Sequence, residues 1–220
     1  TRARWTGWDA TGALTFADGT TATPDATILA LGGASWPRLG SDGGWAGLLP
    51  ADVLSPLRPA NCGFVVDWSD LFRERHSGAP LKRIAITFAS RTVRGEAVIT
   101  ANGIEGGAIY ALSAPLRDAI ERDGSAELRI DLRPDLTLEA LAKRLTKARG
   151  GSSLSTYLRK QANLPPVAVG LVQEALHSGP ATPLPELIKS LPVRLSGTFD
   201  IARAISTAGG IRWNEGDERL

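Results

Sequence analysis

The 220 residues include no methionine, one cysteine and two histidines. A single thiol, Cys62, excludes an internal disulfide and suits a reducing compartment. His76 and His177 stand far apart and far from Cys62, with no H-x-x-x-H or C-x-x-C spacing, so no metal site is expected. No apolar run approaches the ~20 residues of a membrane-spanning helix, and no basic segment followed by an apolar one opens the chain. A cytoplasmic protein without a membrane partner is the expectation. Charge of one sign is also lacking. Lys and Arg number 25 against 23 Asp and Glu, interspersed to a net +2, which calls for no nucleic-acid partner. The lack of methionine, with a strand-like opening at Thr1 to Trp5 and a stop at Leu220 just past a glycine turn, suggests a piece of a longer polypeptide.

Glycine, at 24 residues, is where the sequence is rich. The stretch Asp25–Gly47 opens on a β-type run, Ala26 to Leu31, breaks on Gly32-Gly33, and continues through Ser35, Trp36-Pro37 and a second turn, Gly40-Ser41-Asp42-Gly43-Gly44. A buried strand ending on paired glycines lets another body approach bare backbone, and free amides in such a turn can receive an anion. Upstream, residues 4–31 read as three strands, with turns at Asp9–Gly12 and Asp18-Gly19. Trp5 and Trp8 read as hairpin packing.

Prolines 50, 56 and 59 then punctuate the chain before a strand at Cys62–Val66. Leu81–Phe88 and Thr92–Thr100 read as strands whose alternation is only partial, which fits an edge or a half-buried sheet. A second glycine cluster, Thr100–Ala108, runs into a helical pattern with Ile109, Leu112, Leu116 and Ile120 on one face; Pro115 implies a kink, or a new helix capped by Ser113. Such a junction aims unpaired amides beyond itself, but Gly103, Gly106 and Gly107 do not form G-x-G-x-x-G. Ala126–Leu132 reads as a further strand. Helices follow, one capped by Thr137, one by Ser153, one starting at Pro165-Pro166 and a short one after Pro185. β character returns at Leu191–Leu195 and at Thr198–Thr207, and a third glycine turn stands at Ala208-Gly209-Gly210.

These residues exclude some chemistry. Gly33-Ala34-Ser35-Trp36-Pro37 lacks the second glycine of a nucleophile elbow, so a serine hydrolase is poorly supported. What remains is three glycine-rich turns, each ending a strand, suited to lining a large flat or phosphorylated ligand. An alternative is a self-standing interaction module that uses the basic helical region 137–177, although its cations alternate with apolar residues as on a solvated face.

Three blocks in this order, Thr27–Pro37 with Gly40–Gly43, Thr100–Ser113 with its EGGAIYALS run, and Ala204–Ile211, resemble the HI0933-like (YhiN/BaiN-like) family of bacterial FAD-dependent flavoproteins. The resemblance implies an α+β fold. A partial FAD-domain β-sheet, 1–49 and 196–220, would be interrupted by a substrate-side domain, 50–195, with a β-barrel-like part at about 50–133 and a small helical bundle at about 134–191. It places Gly32, Gly33, Ser35, Pro37, Thr207, Gly209 and Gly210 along FAD, and Asn102, Gly103, Glu105, Gly106 and Gly107 on the substrate side. Glu105 would be a base or an orienting group; otherwise it caps a helix or is solvated. It further implies an oxidoreductase acting on a small molecule, with NAD(P)H as reductant of the parent protein. The family's N-terminal G-x-G-x-x-G and its C-terminal flavin-closing segment are absent from these residues, so a fragment that holds FAD poorly and is itself inactive is expected.

Overall fold

The computed structural model describes residues 3–178 and 182–212. Thr1 and Arg2 of the strand-like opening, the Gly179-Pro180 turn after His177, and residues 213–220 of the closing segment lie outside the described residues. In chain order the strands are β1 (Trp5–Trp8), β2 (Leu14–Phe16), β3 (Thr21–Ala22), β4 (Leu54–Ala60), β5 (Phe64–Val65), β6 (Pro80–Phe88), β7 (Arg91–Thr100), β8 (Gly103–Glu105), β9 (Ala126–Asp131), β10 (Leu191–Leu195), β11 (Gly197–Thr198) and β12 (Ser206–Ile211). The helices are α1 (Asp70–His76), α2 (Gly107–Tyr110), α3 (Ser113–Asp123), α4 (Leu138–Arg144), α5 (Leu154–Gln161), α6 (Pro166–Ser178) and α7 (Leu184–Lys189). The fold is mixed α+β. The described residues divide into two compact units, one within 1–60 and 200–220, the other within 61–199.

In the first unit β1, β2 and β3 form an antiparallel meander. Its turns are those the sequence signals. The Asp9 carboxylate accepts from the amides of Thr11 and Ala13, and that of Asp18 accepts from the Thr20 amide. The Trp5 and Trp8 rings meet edge to face at 4.8 Å. Ala26–Leu31 is not the third strand. That place is taken by the two residues of β3, and the later run has no ladder partner among the described residues, leaving Ile28 91% exposed. Apolar, β-prone residues do not form a strand without a neighbour to pair with. The proline-marked segment before Cys62 is itself a strand, β4, which pairs with β12 in a two-stranded sheet. Pro56 and Pro59 are tolerated there because a two-stranded sheet consists of edges, where a missing N–H can face away from the ladder.

The second unit carries a seven-stranded antiparallel sheet in the order β10-β9-β6-β7-β8-β5-β11. Only Ser196 separates β10 from β11, the two ends of that order, and its amide donates to the Val65 carbonyl at 3.1 Å. β6 and β7 lie in the middle of the sheet and not at an edge. The alternation of β6 is broken by a bulge between Leu81 and Ile84, where Arg83 adopts φ +54°, and β7 is largely exposed over its first six residues and buried only beyond them, as in a half-buried sheet. β9 alternates as its sequence requires, with Ala126, Leu128 and Ile130 buried and Glu127 and Arg129 outward. Ile86, Ile99, Ile104 and Ile130 form the buried face with Ile109, Leu112 and Leu116 of the α2–α3 segment. Thr137 and Ser153 cap α4 and α5, accepting from Ala140 and Thr156. Ser113 does not cap. It is the first residue of α3, which leaves Pro115 in the first turn, where a missing N–H costs no helical bond.

Candidate functional site

The first and third glycine blocks meet within the first unit. Thr207, on β12, accepts through Oγ1 from the amide of Ala34 at 2.8 Å and from that of Ser35 at 3.2 Å. A methyl group at Gly33 would come within 2.5 Å of that same oxygen, so this glycine makes room for a side chain of its own chain. Around it the block is closed by its own atoms. Trp45 Nε1 donates to the Gly32 carbonyl at 3.1 Å, and the Ser41 hydroxyl lies against the carbonyls of Leu31, at 3.0 Å, and Gly33. Pro37 opens a short 3-10 turn, Pro37–Leu39, behind a left-handed Trp36 whose ring lies 5.3 Å from the Arg38 guanidinium. Gly209 and Gly210 are not in a turn. They lie inside β12 at a bulge against β4, where Gly209 passes close to the Pro56 carbonyl. A groove of about 650 Å³ runs beside the first block, lined by Arg4, Trp5, Leu31, Ser41, Asp42 and Trp45 among others. The indole N–H of Trp5 is buried and has no hydrogen-bond partner.

The middle block belongs to the second unit. Ala101 and Asn102 form the tight turn between β7 and β8, and Gly103 starts β8. Gly106, at φ +111°, precedes α2 directly, so the strand–glycine–helix junction expected here exists. Glu105 does not cap α2, whose N-terminus has no side-chain cap. Its carboxylate instead neighbours the Tyr110 phenol. Burial first, and then the Glu105 charge and hydrogen bond, push that phenol above its ordinary pKa, so Tyr110 is a neutral donor next to a carboxylate. The Asn61 side chain donates to the Tyr110 carbonyl at 3.4 Å. Behind them the Ser113 hydroxyl accepts from the Cys62 amide and donates to the Cys62 carbonyl, both at 3.1 Å. Sequence reading missed Tyr110, although it lies five positions after Glu105, across one helical turn.

Among the described residues no group of three His, Cys, Asp or Glu is placed to hold a metal ion, and no helix is long and apolar enough to cross a membrane. Compared with known families, residues 58–206 match the model of the HI0933-like protein barrel and H2TH domain. That match spans more than half of the chain, and the chain belongs to this family. The family carries a flavoprotein theme with it. No curated protein matches the chain.

The diphosphate of FAD needs polar donors with no other partner. The amides of Ala34 and Ser35 are taken by Thr207, and that of Gly44 by the Asp42 carboxylate. The groove beside the block offers Arg4 as its cation and Asp42 as an opposing acid. This is not a matched set of donors for a diphosphate, and the first block does not fit that part of the cofactor.

Proposed function

We propose that these residues belong to a bacterial FAD-dependent oxidoreductase, in which the 61–199 unit is the substrate-side domain and the first unit is part of the cofactor-side domain. The substrate-side unit is then an insertion, and its seven-stranded sheet is the barrel that the family's description names. One continuous stretch, 191–198, pairs with β9 at one end of the strand order and with β5 at the other, which supports this. The observation that carries the proposal is the Thr207 hydroxyl holding Ala34 and Ser35, blocks that the resembling flavoproteins place along one cofactor. Because the amides of Ala34, Ser35 and Gly44 already have acceptors within the chain, the 220-residue chain alone is read as inactive and free of FAD, the diphosphate being held by other parts of the parent.

When bound, the flavin would supply the redox chemistry, and the protein would contribute binding and orientation. Glu105, held beside a neutral Tyr110, is the group best placed to orient a hydroxyl or amine of a small-molecule substrate, with Asn102, Gly103, Gly106 and Gly107 as neighbouring backbone. No catalytic residue is assigned. NAD(P)H is the proposed reductant of the parent. Anaerobic addition of NADH or NADPH to the product of the whole reading frame tests the proposal: bleaching of flavin absorbance supports it, and a protein with no flavin to bleach overturns it.

The alternative, an interaction module built on the basic helices, has one observation in its favour. Arg159 and Lys160 of α5 line a cleft of about 850 Å³ in the second unit.

A further inference from the structure

Five cationic side chains line that cleft. Lys82 and Arg83 reach it from β6, Arg133 from the segment after β9, and Arg159 and Lys160 from the last turn of α5. Asp135 is the acid of the lining, and its carboxylate is already paired with Arg94, which is not among the lining residues. Among the described residues no carboxylate pairs with Lys82, Arg83, Arg159 or Lys160. Like charges gathered without counter-charge repel one another, and an anion between them removes that cost.

Each cation has a bland explanation when taken singly. Arg159 and Lys160 suit a helix C-terminus, and Lys82 and Arg83 are exposed strand residues. The backbone speaks against accident. The bulge in β6 sets Lys82 and Arg83 off the ladder, and Arg83 holds a left-handed conformation that a non-glycine residue adopts at a cost. Arg133 is fixed by two carbonyls at the end of α5, donating to Ala162 at 3.0 Å and Asn163 at 2.8 Å. Neutral acceptors hold the guanidinium in place without cancelling its charge. The loop that carries it is pinned in turn by Lys189, which donates to the carbonyls of Arg133 and Leu136. α6 begins at Pro166 on the same rim, so the positive end of a 13-residue helix adds to the field.

Size and lining then narrow the ligand. A volume near 850 Å³ is far more than one phosphate fills and lies in the range of small-molecule sites. Pro134, Pro165 and Pro166, with the buried Leu132 and Leu164, give the cleft apolar surface on which a flat ring can rest. Nucleic acid would be met by cations spread along one face, whereas elsewhere in this chain basic and acidic residues are interspersed. We propose that the cleft formed by the β6 bulge, Arg133 and the end of α5 binds a nucleotide carrying at least two phosphates. The five cations would receive the phosphates and the proline rim the base. This site is separate from the glycine blocks and does not depend on the parent being a flavoenzyme.

Calorimetry on the 220-residue chain tests this with ADP, inorganic pyrophosphate, adenosine and a short single-stranded oligoribonucleotide as separate probes. ADP and pyrophosphate should bind and weaken with added salt, and adenosine should not bind measurably. The double variant R159E/K160E should lose about 10-fold or more in ADP affinity, while K143E/R144E, whose side chains lie outside the cleft lining, should not change it. If R159E/K160E fails to fold by circular dichroism, Lys82→Ala is read in its place, with the same loss expected. No ADP binding at low salt overturns the proposal. So does ADP binding that survives the cleft substitutions but is lost in Thr207→Val, or binding of the oligoribonucleotide without binding of ADP.

Discussion

The hydroxyl of Thr207 accepts from the amide of Ala34 at 2.8 Å, joining positions 173 apart in sequence. It accepts from Ser35 as well, so a single side chain on β12 satisfies two consecutive amides of the first glycine block. Replacement by valine keeps the shape and removes the acceptor. Thr207→Val should destabilise the first unit by about 1–3 kcal/mol, since two part-buried amides lose their partner. It should also speed proteolysis between residues 31 and 44. Unchanged urea unfolding and unchanged cleavage would show that the bond holds nothing.

Gly103 answers a harder constraint. A methyl group there would lie 1.9 Å from the Phe64 carbonyl oxygen, in the ladder where β5 and β8 pair. Backbone on both sides cannot yield, so Gly103→Ala should destabilise the second unit by more than about 3 kcal/mol. Gly107→Ala is the control. Nothing lies within 4 Å of a methyl group there, and the residue is helical, so its effect should be neutral or slightly stabilising.

The pH dependence of stability should report His76. Its ring packs 4.9 Å from Phe72 and lies against Gly170 of α6. Burial, and next the charge of Arg75, lower its pKa, with Glu174 partly opposing. A histidine with a lowered folded-state pKa takes up its proton first in the unfolded chain. Its contribution is therefore present above the ordinary histidine value and is lost as pH falls through and below it. The urea midpoint should drop between about pH 7.5 and about pH 5.5, and His76→Gln should flatten that drop. An equal drop in both proteins would remove His76 as the cause.

Ser113 serves Cys62 instead of a helix end. Ser113→Ala leaves the buried Cys62 amide without its acceptor and should cost about 1–3 kcal/mol. The thiol, buried and with its pKa raised chiefly by that burial, should react slowly with disulfide reagents in the native protein and faster in the variant. Equal labelling rates would contradict this.

Local chemistry made much of the fold legible. The Asp9 and Asp18 turns, the Thr137 and Ser153 caps and the alternation of β9 are each written in a few adjacent residues. What could not be read depends on partners distant in sequence. Ala26–Leu31 has the composition of a strand but no ladder neighbour among the described residues, and β4 reads only as a run punctuated by prolines until β12 pairs with it. In the site, the glycine blocks were visible, but not that Thr207 takes the amides of Ala34 and Ser35. The cleft was hidden because its cations come from three separate segments, although the pair Lys82-Arg83 interrupting a strand pattern was a signal of the bulge.

Flavin stoichiometry tests the account most directly. The product of the whole reading frame that encodes these residues should release close to one FAD per polypeptide on denaturation, while the 220-residue chain, refolded with excess FAD and gel-filtered, should retain none. A whole protein that purifies without flavin and takes none up would contradict the assignment.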